Sequence, residues 1–319
     1  MGFIGIILLL VFTVIDQAEG IIVKGYGKRH NIGGLFFNAL MSGAASLFFI
    51  LKGIFYEGGL SFPKELLSYG ILSCVMFALG FYFMYVALQL GSFAITRLIN
   101  SFSAVVSIVY GIAVLGEQAG WITYLAIVMV FVSVILMQLG KTESGDKKAF
   151  SLKWLVCILI SAVANGFIGV ISKAQQNRFN GTCDTEFMII SFAGAFLSLV
   201  ILGFILERKN LSYIVRHGIP YGIGAGLVNG GKNFINLLLI ATIPLSVVTP
   251  VRTGIGFIAS FAISVFLYRE KFTKMQVISL IIGIVAIGIF QFALLNGMYL
   301  VGDFFKSPRF FSQKVEIFL

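Results

Sequence analysis

The sequence predicts an all-α integral membrane protein of ten transmembrane helices, arranged as two inverted five-helix repeats. Its residues are 59% hydrophobic and only 11% charged, with a mean hydropathy of +1.00, whereas about a quarter of the residues in a soluble domain are charged. Polar residues recur at matching places in the two halves, which indicates one membrane unit written twice. Helices are expected because backbone groups in lipid must be satisfied within the segment, and the chain lacks the alternating pattern of barrel strands.

Ten apolar segments are long enough to cross a bilayer, which takes about 20 residues each. Several follow one another with almost no linker, so nine and eleven spans are the alternatives to ten. The first segment lacks the basic start and the small-residue cleavage site of a signal peptide, and we expect it to be a mature helix. Numbered in chain order, spans 1 to 10 cover residues 2–23, 33–52, 66–89, 92–115, 120–139, 153–175, 186–206, 218–240, 243–268 and 273–296.

Motifs of the first half return in the second half after roughly 150 residues. An odd number of helices per repeat makes the second copy enter the membrane from the opposite side, which predicts the inversion. The recurring sets are Lys24-x4-Arg29-x-Asn31 with Lys173-x4-Arg178-x-Asn180, Glu117 and Gln138 with Glu270 and Gln291, Asp16 with Asn165, and Thr96 with Thr249.

The repeats divide the chain into a first unit over residues 1–140, a polar linker over 141–152, a second unit over 153–296 and an interfacial or disordered tail over 297–319. The net charge of +10 lies mainly in short loops, which indicates membrane orientation and not nucleic-acid binding. The charge bias favours cytoplasmic odd-numbered loops and outside termini. The three cysteines show no pairing or metal-ligand spacing, so no disulfide, metal or cofactor is expected.

Two short motifs and a proline-flanked segment resemble the drug/metabolite transporter superfamily, in particular its EamA-like ten-helix members. They are Leu115-Gly116-Glu117 before span 5, Tyr268-Arg269-Glu270 before span 10, and Ile243-Pro244 to Thr249-Pro250. The resemblance covers roughly residues 1–296. It implies two EamA-like five-helix repeats, a central cavity and transport by alternating access. Span 5 lacks the glycines that span 10 carries at Gly283 and Gly288, a departure that concerns helix packing and not the fold.

Charged residues inside the membrane mark the candidate pathway, because each costs about 2.5–3.5 kcal/mol at the bilayer centre and must face protein or water. In span 8, polar residues at i, i+3, i+4 and i+7 share one helical face. The alternatives are amides that only join helices, an Arg97 that snorkels to the interface and an Arg252 that pairs with carbonyls freed by Pro250. The candidate substrate-binding residues are Lys232, Asn229, Asn233 and Asn236 in span 8, Arg97 and Asn100 in span 4, and Thr249 and Arg252 in span 9.

Asp16 is the candidate coupling residue, because a carboxyl group in low dielectric can exchange a proton near neutral pH. Glu19 shares its helical face, where both carboxylates would offset part of the positive charge. Glu19 also lies close to the predicted end of span 1, so simple solvation is expected for it.

These patterns predict a secondary transporter in the cell membrane. Its substrate would be a small polar metabolite, anionic or zwitterionic: an organic acid, an amino acid, or a phosphorylated or nucleotide sugar. The alternative is a non-transporting membrane scaffold or lipid-interacting subunit. No enzyme is expected, since no nucleophile with a base or paired catalytic carboxylates can be identified. The expected partners are the small-molecule substrate and membrane lipids, with no nucleic acid, and a homodimer is left open. Substrate identity, transport direction and coupling ion are also left open.

Overall fold

The computed structural model describes residues 3–30, 34–57, 59–91, 93–100, 121–139, 152–243 and 245–269, with isolated residues between 103 and 114 and short runs between 273 and 289. Every regular element in these ranges is helical. The elements are α1 Phe3–His30, α2 Gly34–Tyr56, α3 Lys64–Leu90, α4 Phe93–Asn100, α5 Trp121–Leu139, α6 Leu152–Phe179, α7 Asp184–Leu206, a 3-10 turn Arg208–Asn210, α8 Leu211–His217, α9 Ile219–Thr242 and α10 Leu245–Phe266.

Five helices of the described chain are long and apolar enough to cross a bilayer. Predicted spans 1–9 each contain one long helix or, in span 4, the described part of one; span 10 is described only as short helical runs. The count of ten therefore stays a prediction. The five candidate spans are Gly5–His30, Gly34–Tyr56, Lys64–Leu90, Leu152–Phe179 and Asp184–Leu206.

Helix α1 continues seven residues past the predicted end of span 1, to His30. Packing against neighbouring helices stabilises these extra turns. Tyr26 is fully buried, and its ring stacks on that of Phe37 with 4.4 Å between centroids. The ammonium of Lys24 lies 4.5 Å from the ring centroid of Tyr268. The longer helix places residues near position 20 in the interior of the bundle.

The pattern of helix contacts is that of a duplicated unit. Helix α1 packs on α9 as α3 packs on α6, and these two pairs exchange when each span is replaced by its counterpart in the other half. The same exchange relates α2–α9 to α3–α7, and α1–α10 to α4–α6. Helices α2 and α7, which are counterparts, pack on each other, as do α4 and α10.

The centre of the bundle is aromatic where α2, α3 and α7 meet. Phe192 lies 4.4 Å from Phe77 and 6.0 Å from Phe49, measured between ring centroids. Helix α9 approaches α2 closely at Gly226, where a Cβ atom would overlap the Met41 carbonyl. A side chain at this position would push α9 away from the bundle, together with the polar residues that follow Gly226.

Loops 1 and 7, which follow spans 1 and 7, meet at one end of the bundle, here called the 1/7 face. The Leu35 amide donates to Glu207 Oε2 at 3.0 Å, and His30 Nδ1 lies 2.8 Å from the Tyr213 hydroxyl. Partial burial raises the pKa of the Glu207 carboxyl, although its hydrogen bonds from Leu35 and Phe36 act in the opposite direction. The first and second halves of the chain are thus in direct contact at this end.

Loops 2 and 6 meet at the opposite end, the 2/6 face. The Ser61 amide donates to Glu186 Oε1 at 2.8 Å, and Arg178 pairs with Glu65 at 2.8 Å. Lys52 pairs with Glu57 and donates to the Thr185 hydroxyl. Both ends of the bundle therefore carry polar contacts between the halves, and the candidate site lies between them.

Candidate functional site

Helix α1 presents two carboxylates, Asp16 and Glu19, one turn apart on one face. Arg97 of α4 reaches the first of them: its Nη2 lies 2.5 Å from Asp16 Oδ2 and donates to the Asp16 main-chain carbonyl at 2.6 Å. The Arg97 side chain is only 12% exposed. This arginine therefore points into the bundle and does not snorkel to the interface.

Lys232 of α9 lies between the two carboxylates of α1. It forms an ion pair with Glu19, and its Nζ lies 3.4 Å from Asp16 Oδ1. The expectation that Glu19 is solvated at a helix end is wrong, since Glu19 is buried and α1 continues for eleven more residues. The two carboxylates offset positive charge as the sequence predicts.

Arg252 of α10 is held differently from the other two cations. It donates to the amide oxygen of Asn236, and its guanidinium carbon lies 4.8 Å from the ring centroid of Phe12. No carboxylate of the described residues lies within ion-pair distance of it. The sequence left two alternatives for Arg252, binding substrate or pairing with backbone carbonyls. Its described partners are instead a side-chain amide and an aromatic ring.

The three asparagines of α9 line the same face as Lys232 and are all buried. Asn233 Nδ2 donates to the main-chain oxygen and to Oδ1 of Asn229, both at 3.0 Å. Asn229 Nδ2 is buried without a hydrogen-bond partner in the part of the chain that the structure describes. The polar face of α9 thus contains the ion-paired Lys232, the Asn236 amide that binds Arg252, and the hydrogen-bonded pair Asn229 and Asn233, which has one unused donor.

Gln17 connects α1 to α10 beside this charged group and was missed by sequence reasoning. Its Nε2 donates to the Gly256 carbonyl at 3.2 Å, and its Oε1 accepts from the Ser260 hydroxyl at 2.9 Å. The available signal was a long amide next to Asp16 inside an apolar span. This brace fixes the rotation of α1 and hence the direction of its carboxylates.

Asn100, predicted with the substrate-binding set, lies against α6. Its Oδ1 accepts from Asn165 Nδ2 at 3.2 Å and from the Ser161 hydroxyl at 3.4 Å. The Ser161 hydroxyl also lies 3.1 Å from the Gly80 carbonyl of α3. These three polar residues and the Gly80 carbonyl form a neutral cluster, distinct from the charged cluster of Asp16, Glu19, Arg97, Lys232 and Arg252.

Some predicted positions lie outside the residues that the structure describes. Thr249 belongs to α10, but its side chain is not among those described. The paired motif residues Glu117, Glu270 and Gln291 fall in the gaps. Within the described ranges, no group of three or more His, Cys, Asp or Glu could hold a metal ion.

The charged cluster joins α1, α4, α9 and α10 and contains three cations and two carboxylates. Each ion costs several kcal/mol to remove from water, and attraction between partners offsets this only in part. A cluster of this size is therefore an expensive way to hold helices together. Chemically, the cluster has more cations than carboxylates, an arrangement that suits the binding of an anionic group.

A model of the EamA-like transporter family matches residues 3–139 and 152–292. A solved crystal structure, described only as that of a protein, is similar with a TM-score of 0.59 at 15% identity, over 89% of this chain and 98% of that one. That likeness concerns the fold alone. No curated protein matches this chain significantly.

Proposed function

The chain belongs to the EamA-like transporter family, and on that premise we propose that it carries a small anionic or zwitterionic metabolite across the cell membrane. The observation that supports this most is the charged cluster, in which three cations face two carboxylates within apolar spans. Intramembrane charges of this kind are rare and mark substrate or ion pathways. Organic acids, amino acids, and phosphorylated or nucleotide sugars all carry groups that such a cluster recognises.

In this proposal Lys232, Arg97 and Arg252 attract the anionic group, and the amides around them orient it. Asn229, Asn233 and Asn236 lie on the face of α9 that carries Lys232, while Asn100 and Thr249 complete the predicted set from spans 4 and 9. The buried and unused Asn229 Nδ2 supports a role in binding, since an unpaired buried donor costs free energy that a ligand can recover.

Alternating access would use the two faces of the bundle in turn. The exchange of helix pairs between halves fits two inverted repeats, in which rocking one unit against the other exposes a central site first to one side and then to the other. Contacts between loops 1 and 7, and between loops 2 and 6, would then form and break reciprocally. Asp16 would couple the cycle to a proton, since it contacts both Arg97 and Lys232 and feels any movement of either.

Uptake into proteoliposomes after Lys232→Ala substitution tests this proposal. We expect loss of uptake of every anionic substrate that the wild type carries, because the cation that pairs with Glu19 and faces Asp16 is gone. Lys64→Ala removes an exposed lysine at the start of α3 and should leave uptake unchanged. Near-normal uptake by Lys232→Ala would contradict the assignment.

Misfolding of the single variant is controlled by Glu19→Gln/Lys232→Gln, which removes both charges of one pair. Breaking a buried pair costs more than replacing both partners, so the double variant should recover thermal stability while uptake stays lost. A scaffold protein would behave differently. Its wild type would transport none of the solutes tested, and cysteines placed along α9 would not react with water-soluble reagents.

A further inference from the structure

The charged cluster contains more cations than carboxylates. Arg97 binds Asp16 and Lys232 binds Glu19, which forms two ion pairs. Arg252 is the third cation, and its described partners are the neutral Asn236 amide and the Phe12 ring. While Asp16 and Glu19 are both ionised, the cluster therefore carries one unit of positive charge in excess.

Within the described residues, no other charged side chain pairs with a member of this cluster. Spans 4 and 9 contain no charged residue besides Arg97 and Arg252, and span 5 contains none. The next cations are Lys24 and Lys173, which occupy equivalent places in the two repeats. Lys24 is eight residues beyond Asp16 on α1, about 12 Å along the helix axis, and Lys173 donates to the Ile240 carbonyl, eight residues beyond Lys232 on α9. Both lie about two helical turns away.

Arg252 also has the form of a receptor. A guanidinium carries five N–H donors in one plane and matches the two oxygens of a carboxylate or phosphate. Asn236 Oδ1 and the Phe12 ring use one donor group and one face of this plane, and no carboxylate of the described residues lies within ion-pair distance of it. In low dielectric, such a cation gains most from one anionic partner of matching shape.

Resting on the proposed function, we infer that the transported substrate carries a single net negative charge, and that its carboxylate or monoanionic phosphate binds Arg252. A monoanion closes the charge balance of the cluster. A dianion would leave one negative charge uncompensated inside the membrane, and a zwitterion or neutral solute would leave the positive one. The same balance predicts how substitutions change the preferred charge class: Arg252→Gln brings the cluster to zero, and Glu19→Gln raises it to two positive charges.

Thermal stabilisation and counterflow in proteoliposomes, measured with size-matched solutes, test the inference. One set is lactate, alanine and malonate; a larger set is gluconate, glucose and glucarate. We expect the wild type to prefer the monoanion of each set that it binds. Arg252→Gln should lose about tenfold to hundredfold in monoanion affinity, as for one charge-assisted hydrogen bond, and should favour the neutral or zwitterionic member. Glu19→Gln should move the preference toward the dianion, and Arg252→Lys should retain the monoanion at lower affinity.

A wild type that transports the dianion or the zwitterion best would overturn the single-charge inference and leave the transporter proposal intact. Unchanged charge preference in both Arg252→Gln and Glu19→Gln, with transport retained, would also overturn it. Absence of transport and of stabilisation for every solute class in the wild type would instead count against the proposed function itself.

Discussion

Asp16 and Asn165 occupy equivalent places in the two repeats and have different partners. Asp16 on α1 binds Arg97 of α4 and lies 3.4 Å from Lys232 of α9. Asn165 on α6 donates to Asn100 of α4 and to the Ser161 hydroxyl beside the α3 carbonyl of Gly80. The contacts of α1 with α4 and α9, here called the charged crossing, are thus ionic, whereas those of α6 with α3 and α4, the neutral crossing, are an amide network.

The difference separates architecture from function. Amides and hydroxyls satisfy one another and hold buried helices together at little cost, so a neutral cluster is sufficient to join α6 to α3 and α4. Ions at the same depth cost several kcal/mol each and stabilise a fold poorly. The charged cluster therefore has a purpose that helix packing does not require, and binding an anion is the purpose that its composition supports.

Converting the charged crossing to the neutral type should have the largest effect. Asp16→Asn leaves Arg97 and Lys232 facing an amide, and removal of one partner from a buried pair costs about 3–5 kcal/mol. We expect a large drop in the thermal unfolding temperature of the purified protein and loss of uptake. Thermal unfolding monitored by intrinsic fluorescence, alongside proteoliposome uptake, measures both.

The double variant Asp16→Asn/Arg97→Gln is the matched control for this substitution. It removes the whole pair, so most of the lost stability should return while transport stays absent. If Asp16→Asn were as stable and as active as the wild type, the ion pair would contribute neither to the fold nor to transport.

Removing the neutral crossing should have a smaller effect of another kind. Asn165→Leu deletes the donor to Asn100 and leaves that carbonyl with only the weaker Ser161 contact. Loss of a buried hydrogen bond costs about 1–3 kcal/mol. We expect lower stability but an unchanged ratio of uptake between substrates of different charge. A changed ratio would assign the neutral cluster to substrate recognition, in line with the sequence prediction for Asn100.

The repeat and the polar face of α9 could be predicted because both depend only on the spacing of residues along the chain. The i, i+3, i+4, i+7 pattern identified Asn229, Lys232, Asn233 and Asn236 without knowledge of any neighbour. Which groups pair is a tertiary property. No spacing in the sequence indicates that Lys232 pairs with Glu19 or that Gln17 fastens α1 to Gly256.

The end of α1 shows a second limit of sequence reasoning. Basic and small polar residues after position 23 resemble a loop, yet the buried Tyr26 and the ring contacts of Lys24 keep the helix intact to His30. This extension moved Glu19 from a solvated end to the interior. Hydropathy marks where a chain leaves the lipid, whereas packing between helices decides where a helix ends.

The two faces also differ in charge, but here the arginine of the second repeat forms the ion pair and that of the first repeat does not. Arg29 of the first repeat donates to the neutral Tyr221 hydroxyl on the 1/7 face, while its counterpart Arg178 pairs with the Glu65 carboxylate on the 2/6 face. The Arg178 and Glu65 side chains are 60% and 64% exposed, and an exposed pair of this kind contributes little to stability. The partly buried carboxylate that joins loops 1 and 7 is instead Glu207, which accepts from the Leu35 amide.

Substitution of Glu207 should have the smallest effect on stability, and this effect should depend on pH. Burial raises its pKa above the ordinary value of 4.5 in the folded protein, so between the two pKa values the folded state binds more protons than the unfolded state. Its contribution to stability is then largest below the unfolded value and declines as the pH rises through the folded value. Glu207→Gln should flatten this decline in unfolding temperature, measured upward from about pH 4.5, whereas Glu65→Gln should preserve it. Equal slopes in Glu207→Gln and the wild type would show that the closure of the 1/7 face does not depend on this carboxyl.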